Sequence, residues 1–366
     1  MRQLRQPGEP AGPRQLGLAC HVGTVNLTLE PGPDLAARLF GAAAAAGFTS
    51  GAFALEKLPV WGLTHNLPSL FDGPEKAAWF AGPFSGDTAV ITAGRVTIGL
   101  NGGAPMHHCH AAWRTPDGAT TGGHLLLDRM RLPEPADVTF NGVSGAVFDV
   151  LPDAETNFSI FQPVPQAAPT LADPSGARPG VLAMVAPNVD FAGALSELAA
   201  AHGLETAEIL SGVGSFVGGV FDNGPAVPDP ITEALVTGGR VHAGDPGAAR
   251  IDAVATDPAG IVRGGRLSPG ENAVGITFEV LLAGRTSLLR RQGRWPGGPD
   301  ERISGPRTGR TGTPSSQPLS SHTPLTLRRP RSGRLEGSGS KWHRLASRSH
   351  LLRDATLRVA PRAMRV

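Results

Sequence analysis

His107-His108-Cys109-His110, followed after the turn Pro116-Asp117-Gly118 by Gly122-Gly123-His124-Leu125, returns later in the chain stripped of its histidines. The second version reads Arg250-Ile251-Asp252, then Pro258-Ala259-Gly260, then Gly264-Gly265-Arg266-Leu267. A shift of 142 positions (250 against 108) sets Arg250 on His108, Asp252 on His110 and Arg266 on His124, while the glycines and the leucine stay in place. The chain reads as a duplicated domain in which one copy keeps a candidate metal site and the other keeps the scaffold alone.

A helix repeats as well. Asp34-Leu35-Ala36-Ala37-Arg38-Leu39 runs through five alanines to Gly47, and Asp190-Phe191-Ala192-Gly193-Ala194-Leu195 runs through Ala199-Ala200-Ala201 to Gly203. Aspartate caps a helix start by accepting the free amide protons of the first turn, and glycine suits the left-handed position after its end. Leu35, Leu39 and Ala43 in one copy, and Phe191, Leu195 and Leu198 in the other, form the stripe expected to face a sheet. Strand-like stretches flank both helices at 22–29 and 49–55, and at 180–185 and 206–210. Others are expected at 89–92, 95–100, 106–113 and 138–150, and in the second copy at 239–243, 250–256 and 272–282. One helix among many turn-linked strands predicts an α+β fold, each of two tandem domains being a mostly antiparallel sheet with one main helix packed on it. The shift is 156 at the helices (190 against 34) but 142 at the glycine pair, so the first copy holds 14 extra residues, expected in the irregular stretch 57–83.

The chain of 366 residues is long enough for two such domains plus extensions. Its charge is unevenly spread. Residues 285–366 hold 18 Lys and Arg against 4 Asp and Glu, a net of +14, which leaves −12 for the rest of a chain whose overall charge is +2. The expected organisation is a disordered N-terminus over 1–15, a first domain over 16–162 and a Pro/Ala-rich linker over 163–179. A second domain over 180–284 and a basic, disordered tail over 285–366 complete it. Cys20 and Cys109 lie in unrelated contexts and predict no disulfide, which fits a reducing cytoplasm. No apolar run is long enough to span a membrane, and the polar, proline-rich start lacks the core of a signal peptide. Tyrosine is absent and drops out of any catalytic scheme.

Histidines at 108 and 110 on a strand share one face, about 6.6 Å apart along the chain. The turn and the two glycines bring His124 back beside them. Three neutral imidazoles leave a tetrahedral zinc ion with one open position, the arrangement of a ligand-binding or catalytic centre rather than a closed structural one. His107 and Cys109 fall on the opposite face and are read as structural. Arg250, Asp252 and Arg266 suit an ion-pair cluster, or alternatively an anion pocket.

These elements together resemble the PPC domain (plants and prokaryotes conserved), which also occurs in plant AT-hook nuclear proteins. Further matching pieces are Pro31-Gly32-Pro33-Asp34-Leu35, Gly212-Val213-Gly214-Ser215-Phe216 and Gly275-Ile276-Thr277-Phe278-Glu279-Val280. The resemblance covers residues 16–284 as two copies. It implies a compact α+β domain that trimerises, and a metal held by the histidines of the HxH and GGH elements, here His108, His110 and His124. The second copy departs at all three positions, which predicts no metal there.

Gly212 to Gly218 superficially matches a dinucleotide loop, but the turn Asp222-Asn223-Gly224-Pro225 follows where a phosphate-binding helix would have to begin. A glycine-rich strand where backbones approach closely is the preferred reading, and Ser215 has no partnered base for a hydrolase triad. The expected function is binding of a divalent metal, zinc, and through it of a small anionic ligand, with an enzymatic role disfavoured. One alternative is a DNA-binding regulator, with residues 285–366 holding nucleic acid electrostatically, although the acidic remainder would repel a phosphate backbone. The other is a metal-dependent enzyme using Asp117 or Asp128, the nearest carboxylates in sequence, as base.

Overall fold

A computed structural model describes residues 1–166 and 176–284. The first half runs β1 (Gln15–Leu29), β2 (Gly32–Pro33), α1 (Leu35–Ala45), β3 (Gly51–Leu55), β4 (Leu58–Trp61), β5 (Thr64–Leu70), β6 (Ala78–Ser85), β7 (Thr88–Asn101), β8 (Ala104–Arg114) and β9 (Thr120–Leu125). It continues with β10 (Arg131–Leu132), β11 (Ala136–Ser144), β12 (Ala146–Asp153) and β13 (Phe158–Pro165). The second half holds β14 (Arg178–Val185), α2 (Phe191–Ala201), β15 (Thr206–Phe216), β16 (Thr232–His242), β17 (Asp245–Thr256), β18 (Val262–Arg266) and β19 (Val274–Gly284). The fold is sheet-dominated α+β, its ladders among the described residues antiparallel apart from a single parallel contact between Asp149 and Leu100.

Both helices form for the reason their sequences give. The Asp34 carboxylate accepts from the Ala37 amide at 2.9 Å, and that of Asp190 from Gly193 at 2.8 Å. Gly47 and Gly203 follow the helix ends at φ +87° and +68°, a region closed to most side chains. Leu35, Leu39 and Ala43 are buried on α1, as are Phe191, Leu195 and Leu198 on α2. Each helix sits on its own apolar core. Phe53, Trp113 and Phe140 fill the first, while Phe191, Phe216 and Phe278 fill the second.

The halves are not separate sheets. β1 pairs through Gln15–Val22 with β14 of the second half and through His21–Leu29 with β11 of the first. A third core of Cys20, Val22, Phe148, Phe161, Leu182 and Leu281 lies along this seam. Both cysteines are buried and unpaired, as expected.

Several elements differ from the sequence reading. The stretch 57–83 is not irregular: it forms β4 and β5 and enters β6, with β5 pairing both β6 and β9. The run 138–150 is two strands, broken at Gly145 (φ +90°), with β11 turned to β1 and β3 and β12 to β13. The N-terminal stretch, expected to be disordered, lies against both halves. Arg2 donates to the Pro228 carbonyl at 2.7 Å, Leu4 to the Asn188 side chain at 2.7 Å, and Arg14 pairs with Glu155 at 2.5 Å. The basic stretch 285–366 and residues 167–175 of the linker lie outside the described residues. Among the described residues no helix is long and apolar enough to cross a membrane.

Candidate metal centre

β8 and β9 form a hairpin closed by the turn in which the Thr115 amide donates to the Ala119 carbonyl at 2.9 Å. His110 and His124 stand directly opposite each other in this ladder. The glycine before His124 is needed there: Gly123 has φ +148°, and a Cβ on it would lie 2.5 Å from the Asn66 carbonyl of β5. His108, two residues before His110 on β8, shares its face, while Cys109 points away into the first core.

The three imidazoles converge. His108 Nε2 lies 3.0 Å from His110 Nε2, and His124 Nδ1 lies 3.4 Å from the same nitrogen. One nitrogen from each ring falls within 4.8 Å of the others. Donor nitrogens about 2.0–2.1 Å from a tetrahedral ion stand about 3.3 Å apart. The two short separations, 3.0 and 3.4 Å, are close to that spacing, and the all-nitrogen donor set suits a divalent transition ion.

What aims these rings comes from the second half of the chain. Glu279 of β19 meets His108 Nδ1 at 2.6 Å, and the Ala234 carbonyl of β16 meets His110 Nδ1 at 2.9 Å. With both Nδ1 atoms engaged, both Nε2 atoms face the common point, that of His110 also meeting a carboxylate there, and outer partners on Nδ1 are how metal-binding histidines are oriented. Glu233, also on β16, places a carboxylate oxygen 2.6 Å from His110 Nε2. Neither carboxylate was singled out from sequence as part of the site. Glu279 stands within one of the stretches that carried the family resemblance, yet only long-range strand pairing puts it beside His108.

The electrostatics follow from burial. Desolvation, reinforced by the neighbouring imidazoles, pushes His108 and His124 well below the ordinary histidine range and keeps both neutral. His110 also feels desolvation, but the Glu233 carboxylate outweighs it and pushes His110 up. Burial alone would raise Glu233, and the surrounding imidazoles reverse this and pull it down. Burial pushes Glu279 up to about 8. Without an ion, burial therefore holds both Glu279 and His108 in their neutral forms near pH 7.

The other sequence candidates lie elsewhere. Asp117 sits in the exposed hairpin turn, bonded to Thr115, and Asp128 is exposed in a short 3-10 turn, so neither is placed to act as a base at the triad. Glu233, by contrast, is a carboxylate that reaches the triad. In the second half Asp252 stands opposite Arg266 in the register that His110 and His124 share. Those two form an exposed ion pair at 3.4 Å, while Arg250 turns to the carbonyls of Gly247 and Ala249. The glycine-rich stretch Gly212–Phe216 lies in β15 with no helix after it, and a Cβ on Gly214 would overlap the Thr277 backbone of β19.

A pocket of about 290 Å³ opens over the triad, lined by both halves. Trp79, Phe80 and Phe158 form one side, with Trp79 stacked on Phe158 at 5.5 Å and Phe80 against His124 at 4.9 Å. Ile231 and Ile276 come from the second half.

No protein-family model matches the chain, and no curated protein matches it. Solved structures do. A plant- and prokaryote-conserved protein of Pyrococcus horikoshii aligns at 15% identity and a TM-score of 0.31, over 40% of this chain and 96% of its own. A metal-containing protein of Archaeoglobus fulgidus aligns at 13% identity and 0.30, over 44% and 99%. A candidate DNA-binding protein of Ralstonia eutropha JMP134 aligns at 17% identity and 0.28, over 37% and 89%. Nearly the whole of each thus corresponds to less than half of this chain. The solved structures to which part of this chain is similar include a plant- and prokaryote-conserved (PPC) protein.

Proposed function

We propose that the protein binds one divalent transition-metal ion, zinc by its donor set, through His108, His110 and His124. Through the open coordination position it would hold a small ligand. One observation carries this: three ring nitrogens from two strands gather at one point, with the Nδ1 atoms of two rings tied off by Glu279 and the Ala234 carbonyl. A chance histidine patch has no need of such anchors. When bound, the ion would supply a Lewis-acidic centre. The chain's own groups hold the rings, exclude water and present the apolar pocket.

Residues 16–162 and 180–284 are read as two copies of one unit. In support, both helices start at an aspartate whose carboxylate accepts from the amide three residues on, Gly118 and Gly260 share positive φ, as do Gly123 and Gly265, and the strand register recurs at Asp252–Arg266. On this reading the second copy has lost its own imidazoles and lends two carboxylates to the first. Metal analysis of purified protein tests the assignment. About one equivalent is expected in the native chain and very little in a His108→Ala, His124→Ala double variant; equal content in both ends the reading.

Glu233 favours a second, hydrolytic reading, because a buried carboxylate beside the ligand nitrogens is placed to take a proton from a polarised water or substrate. Turnover of esters, lactones or phosphates by the metal-loaded chain, abolished in Glu233→Gln, would establish it. Silence across that panel leaves ligand binding alone.

A further inference from the structure

We infer that the pocket over the triad takes a small monocarboxylate with an aromatic or short aliphatic body, its carboxylate turned toward the ion and its body against the aromatic wall. This deepens the metal reading above and rests on it. The pocket is chemically two-sided. Its body is apolar, with Trp79, Phe80 and Phe158 from the first half and Ile231 and Ile276 from the second. Its polar side gathers the triad, the carboxylates of Glu233 and Glu279, each engaged by a histidine, and the hydroxyls of Ser159, Ser215 and Thr277. Thr277, 6% exposed, lines the pocket with its Oγ1 buried and without a hydrogen-bond partner. Ser215 accepts from the Ile276 amide at 2.8 Å, which leaves its own proton free to donate.

A buried hydroxyl without a partner is costly unless something fills it. The unpartnered Thr277 hydroxyl and the free Ser215 proton, sharing a pocket with a cation, select an anionic oxygen, and a carboxylate can meet the ion and a hydroxyl together. The apolar walls reject a bare inorganic anion, which would gain nothing from them. The mouth agrees with this choice. Trp79 and Met106 line the pocket while remaining 45% and 39% exposed, so large apolar surface stays uncovered there. Lys76 lies over the Phe158 ring at 3.8 Å, setting a positive charge on the approach of an anion. At about 290 Å³ the space is near the lower end of ligand pockets, roughly 300–1,000 Å³, which favours one ring or a short chain over a nucleotide.

The test is calorimetric titration of the full chain, zinc-loaded and chelator-treated, with phenylacetate and hexanoate, and with acetate and inorganic phosphate as controls. Metal content is measured on the same samples. Phenylacetate is expected to bind the loaded chain at least tenfold more tightly than acetate or phosphate. Trp79→Ala should remove at least fivefold of that preference, and Thr277→Val should weaken phenylacetate at least threefold, both with metal content unchanged. A chain that holds its ion yet binds phenylacetate no better than acetate overturns this inference and leaves the metal reading standing. A chain that takes up no ion overturns both.

Discussion

Replacing Glu279 with glutamine separates orientation of the triad from stability of the fold. The carboxylate meets His108 Nδ1 at 2.6 Å, and its side chain is only 2% exposed, so solvent screens the contact little. With a cation at Nε2, an ionised Glu279 would fix the proton on Nδ1 and leave the Nε2 lone pair for the ion. Glutamine keeps the shape but loses the charge. If its amide nitrogen turns toward the ring, Nδ1 must accept and the proton moves to Nε2, the atom the ion requires. Loss of an outer partner of a metal-binding histidine weakens affinity by roughly 10- to 100-fold, about 1.4 to 2.8 kcal/mol. Competition against a chelating indicator reads this directly. Stability of the metal-free chain should move the other way. The folded carboxyl is raised from 4.5 to about 8, so its contribution favours folding below about pH 4.5 and is lost as pH rises toward 8. Glutamine has no such titration, and near pH 7 the metal-free variant should be as stable as the parent or more so. Zinc affinity within twofold of the parent would refute the orienting role.

Two further outcomes can be checked without metal. Burial pushes the Cys20 thiol up to about 12 and raises Cys109 as well, so the folded state disfavours their thiolates. Their contribution is intact below about pH 9 and is lost as pH rises from there toward the folded values. Thermal melts between pH 8 and 11 should fall less steeply in Cys20→Ala than in the parent, and equal slopes would contradict the burial. Helix capping gives the other. Asp190→Ala should cost about 1 kcal/mol for the lost cap. Asp34→Ala should cost about 1–2 kcal/mol more, because Asp34 sits at φ +57° and alanine would inherit the left-handed backbone. Urea unfolding that ranks the two equally would count against this.

The parts of the fold written in local pattern were readable from sequence. Both helices lie between the aspartates and glycines that cap them, because capping is settled within one turn of chain. The hairpin that aligns His110 with His124 was readable too, since one turn and a glycine pair fix its register. The stretch 57–83 looked irregular because Pro59 and Pro68 interrupt it. Here they sit within short strands, β4 and β5, whose partners are set by tertiary pairing rather than by a local turn. Glu233 and Glu279 were invisible for a related reason. A buried carboxylate in an apolar strand gives no local hint of the ring it meets when that ring is more than a hundred residues away. Nothing in the local pattern of 136–144 showed that β11 would pair with a strand at the opposite end of the first half.

Because the triad and its anchors belong to different halves, synthesis delivers the site in stages. A ribosome has made all three imidazoles by residue 124, but the groups that aim them arrive only with Glu233, Ala234 and Glu279. A nascent or truncated chain ending in the linker would carry loosely held histidines. Tight ion capture would then mark a chain that has been completed and closed upon itself.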